Sequence, residues 1–172
     1  MEYFHTIKDS DIFDNPLPEP EEYIDRPTVK GLVFDSEGRI PIMYANGYGL
    51  LPGGGIEEGE TPEQAFIREC QEEIGCNVEI TSLIGAATQY RARDSRKFDT
   101  YFFIANVVGG KGMPTTTQED EIACEIKWLT PQKVRENLLE LIDWLPQDEY
   151  YQTNFNSRTH LAALEKYLKM KK

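Results

Sequence analysis

The segment at residues 54–76 constrains this chain most, because it joins a glycine-rich turn to a helix whose two ends can both be located. Thr61 is a favoured N-cap residue, Pro62 suits the first helical position, and Gln64 completes a Thr-x-x-Gln capping box. Gly75 is the residue type that most often ends a helix in the left-handed conformation. The sequence therefore predicts a helix over residues 62–74.

This helix has an apolar face and an adjoining acidic face. The apolar positions are Phe66, Ile67, Cys70 and Ile74, and the acidic positions are Glu69, Glu72 and Glu73. Carboxylates three and four residues apart repel one another on a helix. A divalent cation relieves this repulsion, because Mg²⁺ is bound by oxygen ligands that neighbouring carboxylates supply. We interpret the acidic face as a metal site; the alternative is a solvated surface in an acidic protein.

Fixed spacings around the helix give a more specific signal. Gly54 is followed after five residues by Glu60, and after seven more by the sequence RECQEEIGC, which starts at Arg68. This arrangement resembles the Nudix box, G-x5-E-x7-R-E-U-x-E-E-x-G-U, in which U is a bulky aliphatic residue. The chain is identified on it as a MutT-like member of the Nudix hydrolase superfamily. The departures are Cys70 and Cys76 at U positions, where a buried cysteine acts as a small apolar side chain.

The resemblance implies a fold, a reaction and a metal. Nudix domains are α/β (α+β) proteins, built as α/β/α sandwiches with a mixed β-sheet. They hydrolyse a nucleoside diphosphate linked to another group, by attack of water at phosphorus, with Mg²⁺ (or Mn²⁺). The resemblance implies that Glu72, Glu73 and the Gly53 carbonyl hold the metal.

The resemblance also implies roles for other residues. Glu69 is the general base or a further metal ligand, and Arg68 orients a carboxylate of the box. One more acid is expected to reach the metal from a later loop, with Glu121 as the first choice and Glu119 as the second.

The substrate is not specified by the box. We expect a small nucleotide, most simply a nucleoside triphosphate; ADP-ribose or another nucleotide sugar is the alternative. A non-catalytic nucleotide-sensing module is a further alternative, although such modules commonly lack acids that are present here.

Composition limits the class of partner. The net charge of −12 argues against a nucleic-acid partner, because such binding depends on Lys and Arg. No apolar stretch is long enough to cross a membrane, and three cysteines without a CxxC pair suggest a reducing, cytoplasmic location.

The chain of 172 residues fits one domain with extensions. We expect an irregular arm over 1–26 with at most one short strand, the Nudix hydrolase domain over 27–145, and an extension over 146–172 with one helix. That helix, with Ser157 as a candidate cap, is expected to cover the domain or to form a homodimer contact. His160 on it receives no role.

Two β-hairpins are expected from paired β-rich runs. The first joins TVKGLVFD to RIPIMYA, and its Lys30 is expected to face solvent, with a ligand as the alternative. The second joins NVEITSLIGAATQY to FDTYFFIANVVG through a tip that carries Arg91, Arg93 and Arg96. These arginines are candidates for binding the substrate phosphates, and the alternative is a solvated tip.

Overall fold

The computed structural model of the chain describes residues 2–45, 48–118, 124–146 and 149–171. Its strands are β1 (Tyr3–Lys8), β2 (Ile24–Phe34), β3 (Ile40–Ala45), β4 (Tyr48–Leu50), β5 (Asn77–Arg91), β6 (Arg96–Val108) and β7 (Glu125–Leu129). Its helices are α1 (Pro62–Ile74), α2 (Pro131–Trp144) and α3 (Tyr151–Met170). None of these described helices is both long and apolar enough to cross a membrane.

The predicted helix over 62–74 is confirmed as α1. The Thr61 hydroxyl accepts a hydrogen bond from the Gln64 N–H, and the Gln64 side chain accepts one from the Thr61 N–H. Gly75 ends the helix with a φ of 64°. The local signals in the sequence therefore place both ends of the helix correctly.

The strands divide between two sheets. The first has the order β1-β5-β6-β2, and the second has the order β4-β3-β7. In the first sheet β5 and β6 form the predicted antiparallel hairpin, whereas β1 runs parallel to β5 and β2 runs parallel to β6. The second sheet is antiparallel.

The hairpin expected between β2 and β3 is wrong, because these strands lie in different sheets. The open edge of β2 is taken by the glycine loop, which we define as residues 52–55. The Gly31 N–H donates to the Pro52 carbonyl at 3.2 Å, and the Val29 N–H donates to the Gly54 carbonyl at 2.9 Å. Since β6 pairs with the other side of β2, residues 27–31 have no free edge for β3.

Helices cover both faces of the first sheet. Val29 and Val33 of β2 pack in one core cluster with Phe66 and Cys70 of α1. Leu32, which points to the opposite face, packs in a second cluster with side chains of α2 and α3. The predicted α/β/α sandwich with a mixed sheet is therefore confirmed.

The N-terminal residues contain more regular structure than the irregular arm expected over 1–26. β1 is a full strand of the first sheet, and β2 begins within this range. The Asp9 carboxylate accepts hydrogen bonds from the Tyr151 hydroxyl at 2.7 Å and from the Ala92 N–H at 2.9 Å. The arm thereby joins α3 to the tip of the β5–β6 hairpin.

The C-terminal helix begins earlier than expected. It starts at Tyr151, so Ser157 is buried within the helix and does not cap it. Phe155, Leu164 and Tyr167 of α3 are buried against the rest of the chain. This packing fulfils one of the two roles expected for the helix, and a homodimer stays a prediction.

Gly31 of β2 lies beneath α1, where there is no room for a side chain. A Cβ at this position would lie 2.3 Å from Phe66 Cζ and 2.8 Å from the Phe103 carbonyl oxygen. We expect Gly31→Ala to reduce the free energy of unfolding by about 1–3 kcal/mol, as overpacked cores do. Gly110→Ala is the control, because nothing lies within 4 Å of a Cβ there. Urea unfolding of both variants checks this, and equal midpoints would contradict it.

Candidate active site

The glycine loop lies directly against α1. The Gly53 N–H donates to Glu73 Oε2 at 2.5 Å. Gly53 has a φ of 124°, and a Cβ there would lie 2.2 Å from the Val29 carbonyl oxygen. A Cβ on Gly54 would lie 2.6 Å from Glu69 Oε1. Glycine at these two positions therefore allows the loop backbone to approach two carboxylates of the helix.

Arg68 connects three acidic side chains. Its Nε and Nη2 atoms donate to the two carboxylate oxygens of Glu60, at 2.8 and 3.0 Å. Its Nη1 atom donates to Glu69 Oε1 at 2.9 Å and to Glu72 Oε2 at 3.1 Å. Nη2 also donates to the Gly55 carbonyl at 3.0 Å. A single guanidinium thus holds α1 against the glycine loop, and its hydrogen bonds lower the pKa of Glu60.

The three acids of α1 differ in burial. Glu69 is 6% exposed and Glu73 is 7% exposed, whereas the side chain of Glu72 is 37% exposed. Burial raises the pKa of Glu69, and the hydrogen bond from Arg68 offsets only part of that effect. A carboxylate with a raised pKa in a cavity is typical of a group that exchanges a proton during a reaction.

The predicted metal ligands are only partly gathered. Among the residues that the structure describes, no three His, Cys, Asp or Glu side chains form a cluster suited to a metal ion. Glu72 pairs with Arg68, as Glu69 does, but unlike Glu69 and Glu73 it does not line the cavity beside the glycine loop. Glu121 and Glu119 lie outside the described residues.

The groups that are gathered nevertheless fit a divalent cation. Glu69, Glu73 and Gly53 line the same cavity, and all three supply oxygen atoms, the donors that Mg²⁺ prefers. The Lys30 ammonium donates a hydrogen bond to the Gly53 carbonyl, so a cationic group already contacts this oxygen. These residues therefore match the chemistry of a magnesium or manganese ion.

Two adjoining cavities meet at this loop. The acidic cavity, of about 590 Å³, is lined by the two buried carboxylates of α1 and by the glycine loop. The cationic cavity, of about 280 Å³, is lined by Arg91 and Arg96 of the β5–β6 hairpin and by polar residues of α3. Lys30 and Gly54 line both cavities. A ligand that extends past Gly54 can therefore contact both.

The three candidate arginines of the hairpin have separate environments. Arg91 is 4% exposed, and both it and Arg96 line the cationic cavity. Arg93 does not line it, because its guanidinium lies over the Tyr151 ring, 4.3 Å from the ring centroid. The structure thus brings two of the three arginines together.

Two residues of the cavities were missed from the sequence. Lys30 was expected to face solvent, with a ligand as the alternative, but it is half-buried and lines both cavities. Lys30 and the buried Leu32 are two residues apart and therefore lie on the same face of β2, which was the available signal. His160 was given no role, but it is 2% exposed, and its Nδ1 accepts a hydrogen bond from the Leu51 N–H at 3.4 Å. Burial holds the pKa of His160 well below its ordinary value, so the ring is neutral.

The chain is similar in sequence to known proteins. The NUDIX domain model matches residues 25–153. A MutT-like protein of Streptomyces ambofaciens is 32% identical over 131 residues, which are 73% of this chain and 79% of that protein. A putative 8-oxo-dGTP diphosphatase of Bacillus subtilis is 30% identical over 84 residues, 49% of this chain and 51% of that protein.

A solved structure supports the fold independently. The crystal structure of a UDP-X diphosphatase superposes with a TM-score of 0.57 at 16% identity, covering 88% of this chain and 66% of that one. The family model spans most of the present chain, including the glycine loop and α1. The chain therefore belongs to the NUDIX domain family and is a hydrolase that acts on phosphate anhydrides.

Proposed function

We propose that this chain hydrolyses a nucleoside triphosphate within its phosphate chain, using Mg²⁺ (or Mn²⁺). The observation that carries the proposal is the pair of buried carboxylates, Glu69 and Glu73, in a cavity that shares Lys30 and Gly54 with a cationic one. The acids can hold a metal ion, and the cationic side chains can contact phosphate oxygens directly. A substrate with several phosphates is stabilised by both. Family members generally use divalent metal ions and act on small nucleotide substrates.

The proposed metal ligands are Glu73 and the Gly53 carbonyl, with Glu72 and Glu121 as further ligands from the box and the later loop. Glu69 joins them in the alternative in which it is a metal ligand and not the base. When bound, the metal supplies positive charge that offsets the charge of the phosphates and lowers the barrier to attack by water.

Glu69 is the proposed general base. Its raised pKa makes it a better proton acceptor than an ordinary glutamate once it is ionised. Arg68 donates to Oε1 of this carboxylate, which fixes its rotamer and leaves Oε2 for the proton of the attacking water. Arg68 thus acts by positioning the base.

Arg91 and Arg96 are the proposed substrate-binding cations of the hairpin, together with Lys30. Guanidinium groups donate paired hydrogen bonds that match phosphate oxygens. Arg93 is not included, because it stacks on Tyr151 outside the cationic cavity.

A substrate panel tests the proposal. The pure protein is incubated with Mg²⁺ and, separately, with nucleoside triphosphates, ADP-ribose, nucleotide sugars and dinucleoside polyphosphates, and released phosphate and pyrophosphate are measured. We expect turnover of a nucleoside triphosphate that EDTA abolishes and that added Mg²⁺ or Mn²⁺ restores, because the metal offsets the substrate charge.

Other outcomes of the panel have definite meanings. Turnover of ADP-ribose or a nucleotide sugar alone would replace the proposed substrate. Full activity after exhaustive EDTA treatment would rule out the metal. Tight nucleotide binding without any turnover would identify a sensing module. The cytoplasmic location and the homodimer stay predictions, which cell fractionation and sedimentation would check.

A further inference from the structure

The cationic cavity is free of acids in a protein that is rich in them. The chain has 30 Asp and Glu residues and a net charge of −12, yet none of the residues that line this cavity is acidic. Within the described part of the chain, no ion pair is formed by Lys30, Arg91 or Arg96. The positive charges of this cavity are therefore not paired with an acid inside the cavity, although Asp94 and Glu69 lie near enough to act on Arg91 and Lys30, respectively, through space.

Arg91 is a buried cation of this cavity. Its Nε and Nη2 atoms donate to Gln89 Oε1 at 2.9 and 2.5 Å, and Nη2 donates to Asn156 Oδ1 at 2.7 Å. These acceptors are neutral amide oxygens, and the guanidinium also lies 4.2 Å from the centroid of the Phe98 ring. Burial lowers the pKa of Arg91 to about 10, so the group is still charged at neutral pH. The charge of Asp94 favours the charged form of Arg91, but Asp94 does not line the cavity, so an anionic ligand there would add the close counterion that the neutral amides do not supply.

The second arginine of the cavity increases the cost of burying Arg91. Arg91 and Arg96 are directly paired across the β5–β6 hairpin, so they lie on the same face of the sheet. Like charges that face one another across two strands are destabilising. A bound anion with two negative charges would relieve both the repulsion and the burial of Arg91.

The position of the cavity limits which part of a substrate can supply the anion. Gly54 and Lys30 form part of the wall of the cationic cavity, and both also line the acidic cavity. A Cβ on Gly54 would lie against the Glu69 carboxylate. A phosphate chain cleaved in the acidic cavity can therefore extend past Gly54 and end among the three cations.

We propose that the cationic cavity binds the terminal phosphate of the substrate, which is attached at one side only, through a phosphoanhydride bond, and that Arg91 and Arg96 thereby select nucleoside triphosphates over nucleotide sugars. The inference rests on the proposed function and adds the basis of its specificity. A nucleoside triphosphate ends in a phosphate that carries up to two negative charges. In ADP-ribose and in nucleotide sugars both phosphates are internal and the far end is a neutral sugar, which would leave Arg91 and Arg96 without a counterion.

Arg96→Gln tests the selection, and Arg93→Gln is its matched control. Both arginines are exposed and close together in the hairpin, but only Arg96 lines the cavity. With Mg²⁺ present, we expect Arg96→Gln to raise KM for the nucleoside triphosphate about tenfold or more, because a charge-assisted contact to phosphate is lost. We expect little change in kcat, since the contact is made before and during the reaction. We expect kcat/KM for ADP-ribose to be unchanged by Arg96→Gln, and both substrates to be unaffected by Arg93→Gln.

The opposite pattern would overturn the inference. Equal decreases in kcat/KM for both substrates, or no decrease for either, would show that Arg96 does not bind the terminal phosphate. A change confined to the preference among different nucleobases would assign the cavity to the base instead.

A binding measurement separates failure of the inference from failure of the proposed hydrolase activity. Inorganic phosphate is titrated calorimetrically into the metal-free wild type and into the two variants. Phosphate binding that weakens about tenfold in Arg96→Gln but not in Arg93→Gln supports the anion site even if no nucleotide is hydrolysed. Absence of phosphate binding by the wild type would overturn the site, whatever the result of the substrate panel.

Discussion

Replacing Glu69 by glutamine is expected to lower kcat by about 10²- to 10⁴-fold. Glutamine has nearly the same shape as glutamate, and its amide oxygen can still accept the hydrogen bond from Arg68 Nη1. It cannot take a proton from water, so the loss should appear mainly in kcat. Steady-state kinetics on the substrate found in the panel measures this effect.

The control for this variant is Glu63→Gln. Glu63 lies in the first turn of the same helix, is exposed, and does not line the acidic cavity. Its replacement removes one negative charge from α1 but should leave kcat at the wild-type value. Both variants should unfold at similar temperatures. Near wild-type turnover by Glu69→Gln would remove this residue from the proposed role of base.

A second large effect is expected from adding one methyl group to the glycine loop. In Gly54→Ala the new Cβ would lie 2.6 to 2.8 Å from three atoms of the Glu69 carboxylate group, so that group must move. A displacement of about 1 Å at a reacting group can lower kcat by about 10²-fold. We expect a loss of that size, measured under the same conditions as for Glu69→Gln.

Gly55→Ala provides the matched control one residue later. Nothing lies within 4 Å of a Cβ at Gly55, and the carbonyl that accepts from Arg68 is retained. This variant should keep wild-type activity. If both alanine variants were equally active, close contact between the loop and Glu69 would not matter for the reaction. If both were inactive, general rigidity of the loop would explain the result better than displacement of one carboxylate.

Local signals in the sequence predicted α1 and the β5–β6 hairpin correctly. The capping box, Gly75 and the acidic face all act within a few residues of one another, so chain neighbours determine them. The β2–β3 hairpin failed for a nonlocal reason, because β3 pairs instead with β7, about 85 residues later in the chain, while the glycine loop bonds to the middle of β2. Turn residues show where a chain reverses but not which strand is then hydrogen-bonded to which.

For the same reason, the sequence predicted some residues of the candidate site and missed others. The acids and Arg68 share one helix and its preceding loop, so their proximity follows from spacing alone. Arg96 and Arg93 belong to one basic segment, and only the register of the hairpin decides that the first faces a cavity while the second lies on Tyr151. His160 joins the site from α3, far away in the sequence, which no local pattern could indicate.

The glycine loop also has a consequence for the solubility of the protein. By hydrogen bonding to Val29 and Gly31, it covers the side of β2 that would otherwise present unpaired backbone groups to other chains. Exposed strand edges promote pairing between molecules and aggregation. The same backbone segment supplies the carbonyl that we propose as a metal ligand and also protects the sheet. A substitution that detaches the loop would therefore displace this carbonyl and expose the edge of β2. We therefore expect a substitution that detaches the glycine loop to lower both activity and solubility.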